Sequence, residues 1–314
     1  MREIGGYIEL DTYTRPMLHD KAIPLNCGRN CLAYLIKANN IKKIRIPCYI
    51  CQSIPSICKR MGVEISYYHI GIDFKPSDKI ELEQGEWFYL INYYSQISNN
   101  EIENYVKKYK RIIVDNANSY FQKPFKNIDT IYTCRKYFGV ADGAFLYSNS
   151  TINDDLPIDE SYLRMNFLLG RYERSAGEFY QEYNENNKAF EKEPIKRMSK
   201  LTMNLLHGID YNAVKKRRIE NFEYLHNKLG EANILKLKSG TFMYPFMIDN
   251  GMTVRKKLQL DRIYIPLLWP NVFDTLNQYE LEYTMAQNIL PLPIDQRYNL
   301  DDMEYMTNKI MQVL

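Results

Sequence analysis

The sequence predicts an α/β protein: a large domain with a mostly parallel sheet covered by helices, then a small C-terminal α+β domain. Three observations lead there. Short apolar runs alternate with helical patterns from Ala22 to Ser148, as repeated strand–helix–strand units do. From Asp159 to Gly230 the pattern turns almost wholly helical and richly charged. After Gly230 short strands and helices resume. The expected division is 1–205 for the large domain with its helical connection and 206–314 for the small domain.

The elements follow in order. Ala22–Asn26 is a short strand candidate, and Arg29–Ala38 a helix whose Leu32, Leu35 and Ile36 recur at helical spacing. Lys43–Pro47 reads as a strand and Gln52–Met61 as a helix that tolerates Pro55 near its first turn. Val63–Ile70 alternates as a strand, and Trp87–Asn92 is a buried-type strand with almost no polar residue. Glu101–Tyr109 is a helix; Arg111–Asp115, Asp129–Thr133 and Ala144–Ser148 are strands. Asp159–Gly230 is helical, with Pro194 and Gly208 as breaks. Then come a strand at Phe242–Ile248, a helix at Val254–Leu258, a strand at Arg262–Pro266, a helix at Gln278–Gln287, a strand at Ile289–Leu292 and a closing helix at Leu300–Leu314.

Composition narrows the function. Hydrophobic residues are 45% and charged residues 25% of the 314, the balance of an ordered globular protein. The net charge of +3 is too weak and dispersed for a nucleic-acid footprint. No apolar run approaches the ~18 residues of a membrane span, and no secretory signal is readable, so a cytoplasmic location is expected. Of six cysteines, five lie between Cys27 and Cys58. Cys48 and Cys51 form a C-x-x-C, which could be half of a zinc site or a redox pair. No second knuckle and no His in that stretch supports either, and reduced thiols in a core are the plainer reading. No metal is expected.

In an open parallel sheet, ligands bind beyond the carboxyl ends of the strands. Four such ends are informative. Asn26-Cys27-Gly28-Arg29-Asn30 follows a strand and opens a helix, where free N–H groups make an anion site and Gly28 lets a ligand approach; a plain helix cap is the alternative. Asp115-Asn116-Ala117-Asn118 ends an apolar strand on an acid, with an amide three residues on. It is either a turn former or a carboxylate for a cationic ring nitrogen. Thr133 ends another strand, and Lys136 follows among Tyr137, Phe138, Gly139 and Val140. A lysine in such apolar company loses its proton more easily, which Schiff-base chemistry needs; a surface charge is the alternative. Pro47-Cys48-Tyr49 offers Tyr49 as a flat neighbour for a ring, or as packing beneath the next helix. Together these match the demands of pyridoxal phosphate: a lysine, an acid, a donor for the phenolic oxygen, an anion site and a flat contact.

Asp115-Asn116-Ala117-Asn118 resembles the Asp-x-Ala-Gln stretch of the DegT/DnrJ/EryC1/StrS sugar aminotransferases. Thr133 to Gly143 resembles that family's lysine loop, Leu25 to Leu32 its phosphate-proximal helix start, and Arg197 to Arg218 the helix after its large domain. The resemblance runs through most of the chain in the right order. It departs in lacking the usual Ser-Phe-His lead and Gly-Glu-Gly-Gly tail of the lysine loop, in Asn118 where Gln is usual, and in overall length. The family's ring-stacking position falls on Cys51 or Gln52, which leaves Tyr49 as the aromatic candidate.

The resemblance implies the pyridoxal-phosphate-dependent aminotransferase fold type I and transfer of an amino group from glutamate to a nucleotide-linked keto sugar. It implies Lys136 as cofactor anchor and proton carrier, Asp115 at the pyridine nitrogen and Asn118 at the phenolic oxygen. Gly28, Arg29, Asn30 and Thr133 would hold the phosphate. It also implies a homodimer, with Tyr162–Arg174 reaching toward the neighbour's site. Lys136 sets the chain apart from the dehydrase branch, which carries histidine there. A pyridoxal-phosphate enzyme acting on a small keto acid, and a degenerate member without catalysis, are the competing readings.

Overall fold

The computed structural model describes residues 4–77 and 79–314. The chain runs β1 (Ile23–Leu25), α1 (Gly28–Ala38), β2 (Lys43–Pro47), α2 (Ser53–Arg60), β3 (Glu64–Tyr68), β4 (Glu86–Ile91), α3 (Asn99–Lys108), β5 (Ile112–Asp115), β6 (Asp129–Thr133) and β7 (Ala144–Tyr147). It continues through α4 (Asn166–Glu173), α5 (Tyr180–Ala189), α6 (Lys200–His207), α7 (Tyr211–Leu229), β8 (Met243–Met247), α8 (Gly251–Leu260), α9 (Val272–Thr275), α10 (Leu281–Asn288), β9 (Ile289–Pro293) and α11 (Leu300–Val313).

Seven strands form one sheet in the order β1-β7-β6-β5-β4-β2-β3. The pairs from β3 to β6 are parallel, with Ile91 opposite Asp115 and Asp115 opposite Ile131. β7 follows β6 through the short loop 134–143, which holds no crossover helix, so it returns antiparallel, Thr133 opposite Ala144. β1 then joins β7 antiparallel and closes that edge. The parallel strands therefore all send their carboxyl ends to one side, where Asp115, Thr133 and the loop after β4 meet. Chain order reverses between β2 and β4, the place where such sheets open a crevice.

The helix expected at Arg29–Ala38 is α1, and it is buried on more than the Leu32, Leu35 and Ile36 face: every residue from Asn30 to Ile36 is buried. That explains its short polar content, since a helix covered all round has no solvated stripe. Just before β1, His19 is sealed against the antiparallel edge. Its Nε2 bonds the Tyr120 carbonyl at 2.9 Å, its Nδ1 lies 3.2 Å from the Tyr147 hydroxyl, and its ring sits 4.1 Å from that of Tyr132. With a carbonyl on one side, Nε2 carries the proton and Nδ1 accepts.

A second core forms from Phe222, Leu225 and Leu229 of α7, Tyr244 and Phe246 of β8, Leu290 and Leu292 of β9, Val254 and Leu258 of α8, and Met303, Met306 and Ile310 of α11. Burying each such side chain contributes about 1.5–3 kcal/mol. β8 and β9 pair antiparallel as a two-stranded sheet.

Two expectations need correction. Arg262–Pro266 is not a strand. Its alternation is real, for Ile265 is buried in the second core. But Arg262 takes φ +60 as the turn that ends α8, where the Ile263 N–H bonds the Leu258 carbonyl, and the segment packs without a strand partner. The stretch from Asp159 to Gly230 is less continuous than its pattern implies. Arg174–Ser175 and 190–199 interrupt it, the latter around Pro194 and with Arg197 bridging back to Leu25 and Ile158.

Candidate active site

Asp115 is the last residue of β5 and is buried. Its Oδ2 accepts the Tyr89 hydroxyl at 2.7 Å, and its Oδ1 accepts the Ala117 N–H at 2.8 Å. Tyr89 comes from β4, the parallel neighbour, so strand pairing itself brings the phenol to the carboxylate. The turn-former reading accounts for the bond to Ala117. It does not account for a fully buried tyrosine from another strand aimed at the same group.

Lys136 lies three residues past β6. Its side chain is reachable by solvent yet surrounded by protein, as a group on the floor of a cleft is. This crowding holds its pKa below that of an ordinary lysine; the Asp115 carboxylate and the Cys51 thiol work against the shift. The Nζ sits 5.4 Å from the centre of the Phe242 ring, at the entry to β8. Lys136 thus stands just past the end of β6, beside β5, and against a ring from the C-terminal part of the chain.

Asn118 is buried; its carbonyl accepts the Ser95 hydroxyl at 2.8 Å, while its side-chain Oδ1 has no partner. Ser95 and Tyr94 both hold positive φ, +65 and +50. Two adjacent non-glycine residues in that region are strained, and the turn is braced by Asn92, whose amide bonds both the N–H and the carbonyl of Ile97 at 2.9 and 3.0 Å. The Tyr94 hydroxyl is buried and unpartnered.

At the other end stands the start of α1. Cys27 is its N-cap, makes no side-chain capping bond, and no acid occupies the first turn. The helix end is therefore open to an anion. Burial pushes the Cys27 thiol up to about 11, with Arg29 among the groups that oppose it, so it brings no negative charge near neutrality. A Cβ on Gly28 would meet Ile131 and the Cβ of Thr133 at 4.0 Å, ordinary contact, so packing does not demand glycine there. The half-buried Arg29 has no hydrogen bond or ion pair among the described residues. Asn30 is committed instead: its amide donates to Asn26 Oδ1 at 2.9 Å and to the Pro194 carbonyl at 2.7 Å, and its Oδ1 is left unpartnered.

Asp115 and Cys51 lie within electrostatic reach of Lys136, and Gly28 and Thr133 adjoin each other. Tyr49 stands apart. Its ring packs against Trp269 at 4.5 Å and Tyr93 at 5.6 Å, and the residue of this segment that faces Lys136 is Cys51. Sequence reasoning did not single out Tyr89, Phe242 or Arg135. Arg135 lies over the Phe190 ring at 4.7 Å, donates to Asn187 and has no carboxylate partner among the described residues. Its place beside Lys136 was the available signal. Among the described residues, no helix is long and apolar enough to cross a membrane.

No family profile matches the chain, and no curated protein does. Solved structures do. A DegT DnrJ EryC1 StrS aminotransferase from Brucella abortus aligns over 93% of this chain and 85% of its own, at 13% identity and a TM-score of 0.63. The sugar aminotransferase CalS13 from Micromonospora echinospora aligns over 93% and 87%, at 12% identity and 0.62. PseC from Helicobacter pylori, an aminotransferase involved in the biosynthesis of pseudoaminic acid, aligns over 93% and 86%, at 12% and 0.63. At such low identity the likeness speaks for architecture, and this chain has the fold of the DegT/DnrJ/EryC1/StrS aminotransferases over nearly its whole length.

Proposed function

We propose that this chain is a pyridoxal-phosphate-dependent aminotransferase that moves an amino group from glutamate to the keto group of a nucleotide-linked sugar. The observation that carries the reading is that Asp115 ends β5 while Lys136 follows the end of its parallel neighbour β6, close enough for the carboxylate's charge to act on the amine. The residues fit the cofactor: a lysine of lowered pKa, a carboxylate beside it, an unpartnered buried amide at Asn118 and an uncapped helix start with Arg29 free. The neighbours in fold are sugar aminotransferases, one of them solved in its pyridoxal-phosphate form.

When bound, pyridoxal phosphate supplies a carbon to which amines attach and a ring that withdraws electrons from it. The chain supplies the rest. Lys136 Nζ would anchor the cofactor and, as a neutral amine, could accept and return a proton at Nζ. Asp115, held in place by Tyr89 and Ala117, would be the carboxylate for the ring nitrogen. Asn118 would serve the phenolic oxygen. The N–H groups of Gly28 and Arg29, with the Arg29 guanidinium and the Thr133 hydroxyl, would hold the phosphate. Asn30 would brace the helix start instead, since its amide is spent on Asn26 and Pro194 and its N–H on the Cys27 carbonyl.

A homodimer belongs to this reading. The segment at and around α4 exposes Leu163, Leu169 and Tyr172 at 79%, 63% and 93%, an apolar surface suited to a second copy. Six free cysteines suit a reducing cytoplasm.

The test is spectroscopic and then enzymatic. Protein loaded with pyridoxal phosphate should show a near-visible band, borohydride should fix the cofactor's mass on Lys136, and Lys136→Ala should abolish both. A cofactor fixed on another lysine refutes the assignment. Given glutamate, the loaded protein should aminate keto-sugar nucleotides faster than small keto acids; the reverse preference refutes the substrate class.

A further inference from the structure

Arg218, on α7, is 1% exposed, and no carboxylate bonds it among the described residues. Its bonds all go to neutral acceptors, with the Asp295 carboxylate acting on it only from beyond bonding distance; burying a guanidinium this way is costly, and an apolar side chain could join the two cores without that cost. What the cation holds is therefore informative. Its Nη2 donates to the Tyr137 carbonyl at 3.1 Å; Nη1 donates to the carbonyls of Thr241 at 2.8 Å and Phe242 at 3.3 Å; Nε donates to Gln296 Oε1 at 2.9 Å. Gln296 in turn donates to the same Tyr137 carbonyl at 2.8 Å. The guanidinium carbon lies 4.6 Å from the centre of the Tyr137 ring.

Tyr137 follows Lys136 directly. Its N–H bonds the Cys134 carbonyl at 2.9 Å and its hydroxyl accepts the Tyr120 N–H at 3.2 Å. The turn that carries Lys136 is thus tied at its ring, its N–H and its carbonyl. Phe242 is the ring that faces Lys136 Nζ. One guanidinium grips both the loop that bears the amine and the residue whose ring confronts it.

We infer that Arg218 is a positioning residue for Lys136: it clamps the lysine loop to the Phe242 wall and so fixes where the amine stands in the cleft. The inference rests on the reading of Lys136 as the reacting amine. A fixed amine stays in crowded surroundings that favour its neutral form, the form that attacks a carbonyl carbon. With the clamp gone, the loop and the wall part and the amine reaches bulk water.

The test uses the full chain freed of small molecules. Acetic anhydride pulses across about pH 6 to 10, read by peptide mass spectrometry, give the titration midpoint of Lys136, with the exposed Lys79 as internal reference. The wild type should titrate below Lys79. In Arg218→Met the Lys136 midpoint should rise toward the reference, lowering its labelling near neutrality on the order of tenfold, with Lys79 unchanged. Arg218→Lys should restore part of the shift, and Gln296→Leu, which removes one of the two ties to the Tyr137 carbonyl, should give a smaller one. An unmoved Lys136 midpoint in a folded Arg218→Met overturns the inference. If that variant does not fold, unmoved midpoints in both Arg218→Lys and Gln296→Leu overturn it. No cofactor enters the measurement, so a wild type that fails to take pyridoxal phosphate sinks the aminotransferase reading while the labelling still decides the role of Arg218.

Discussion

The two ends of the cleft are built to different degrees. At the Asp115 end the groups next to the reacting atoms are already held: Tyr89 and Ala117 hold the carboxylate, and two side chains hold the carbonyl next to Lys136, although Asn118 Oδ1 stays unpartnered. At the α1 end bonds are missing: the Arg29 side chain has no hydrogen bond or ion pair among the described residues, the helix lacks a side-chain cap, and Asn26 Nδ2 and Asn30 Oδ1 are buried and unpaired. The contrast teaches where chemistry and where binding reside. Groups that act on a reacting atom gain from being fixed beforehand, whereas a site for an anion can leave its donors waiting for the ligand to complete them.

The comparison breaks if the two ends respond alike to substitution. Asp115→Asn keeps size and removes charge. It should lower kcat by roughly two or more orders of magnitude and leave cofactor affinity nearly intact, because the phosphate and the lysine supply most of the hold. Unchanged turnover with lost melting temperature would make Asp115 a structural cap.

Arg29→Gln should do the reverse. It removes a charge-assisted bond worth about 1.5–3 kcal/mol, so affinity for pyridoxal phosphate should fall on the order of ten- to a hundredfold. Affinity for unphosphorylated pyridoxal, measured by the same titration, should not move. Equal losses for both ligands would mean that this arginine does not face the phosphate.

Tyr89→Phe is the finest probe. It deletes one hydrogen bond from a carboxylate that keeps another, a change of about 1 kcal/mol. Turnover should drop by roughly fivefold with affinity constant. A loss as large as that of Asp115→Asn would show the phenol acting on the substrate itself.

The strand ends were legible in the chain: Asp115 closes β5 and Thr133 closes β6, three residues before Lys136, and such an end is marked by where an apolar run meets its first polar residue. What escaped reading depends on strand order and on long-range closure. Tyr89 meets Asp115 only because β4 and β5 are neighbours, and Phe242 reaches Lys136 from over a hundred residues away. After β2 the chain leaves the sheet and alternation ends, so the sequence does not show that the ring of Tyr49 packs onto Trp269 while Cys51 lies nearer to Lys136. Arg262–Pro266 failed for a related reason. Alternation shows which side chains are buried, but only a partner edge makes a strand.

The seal around His19 has a consequence in proton uptake. Burial lowers its pKa from 6.5 to about 4, against weaker upward pulls from the Tyr120 carbonyl and Asp20. Between those values an unfolded chain binds a proton that the folded chain refuses. Stability therefore falls as pH drops through this window, by about 3 kcal/mol in all, and this contribution levels off below it. The antiparallel edge, where His19 bonds Tyr120 and Tyr147, should be the acid-labile part of a sheet whose parallel centre holds Asp115. In His19→Gln an amide can bond both partners without titrating, so its denaturant midpoint should change less than the wild type's between neutral and mildly acid buffer; equal changes would place the acid sensitivity elsewhere.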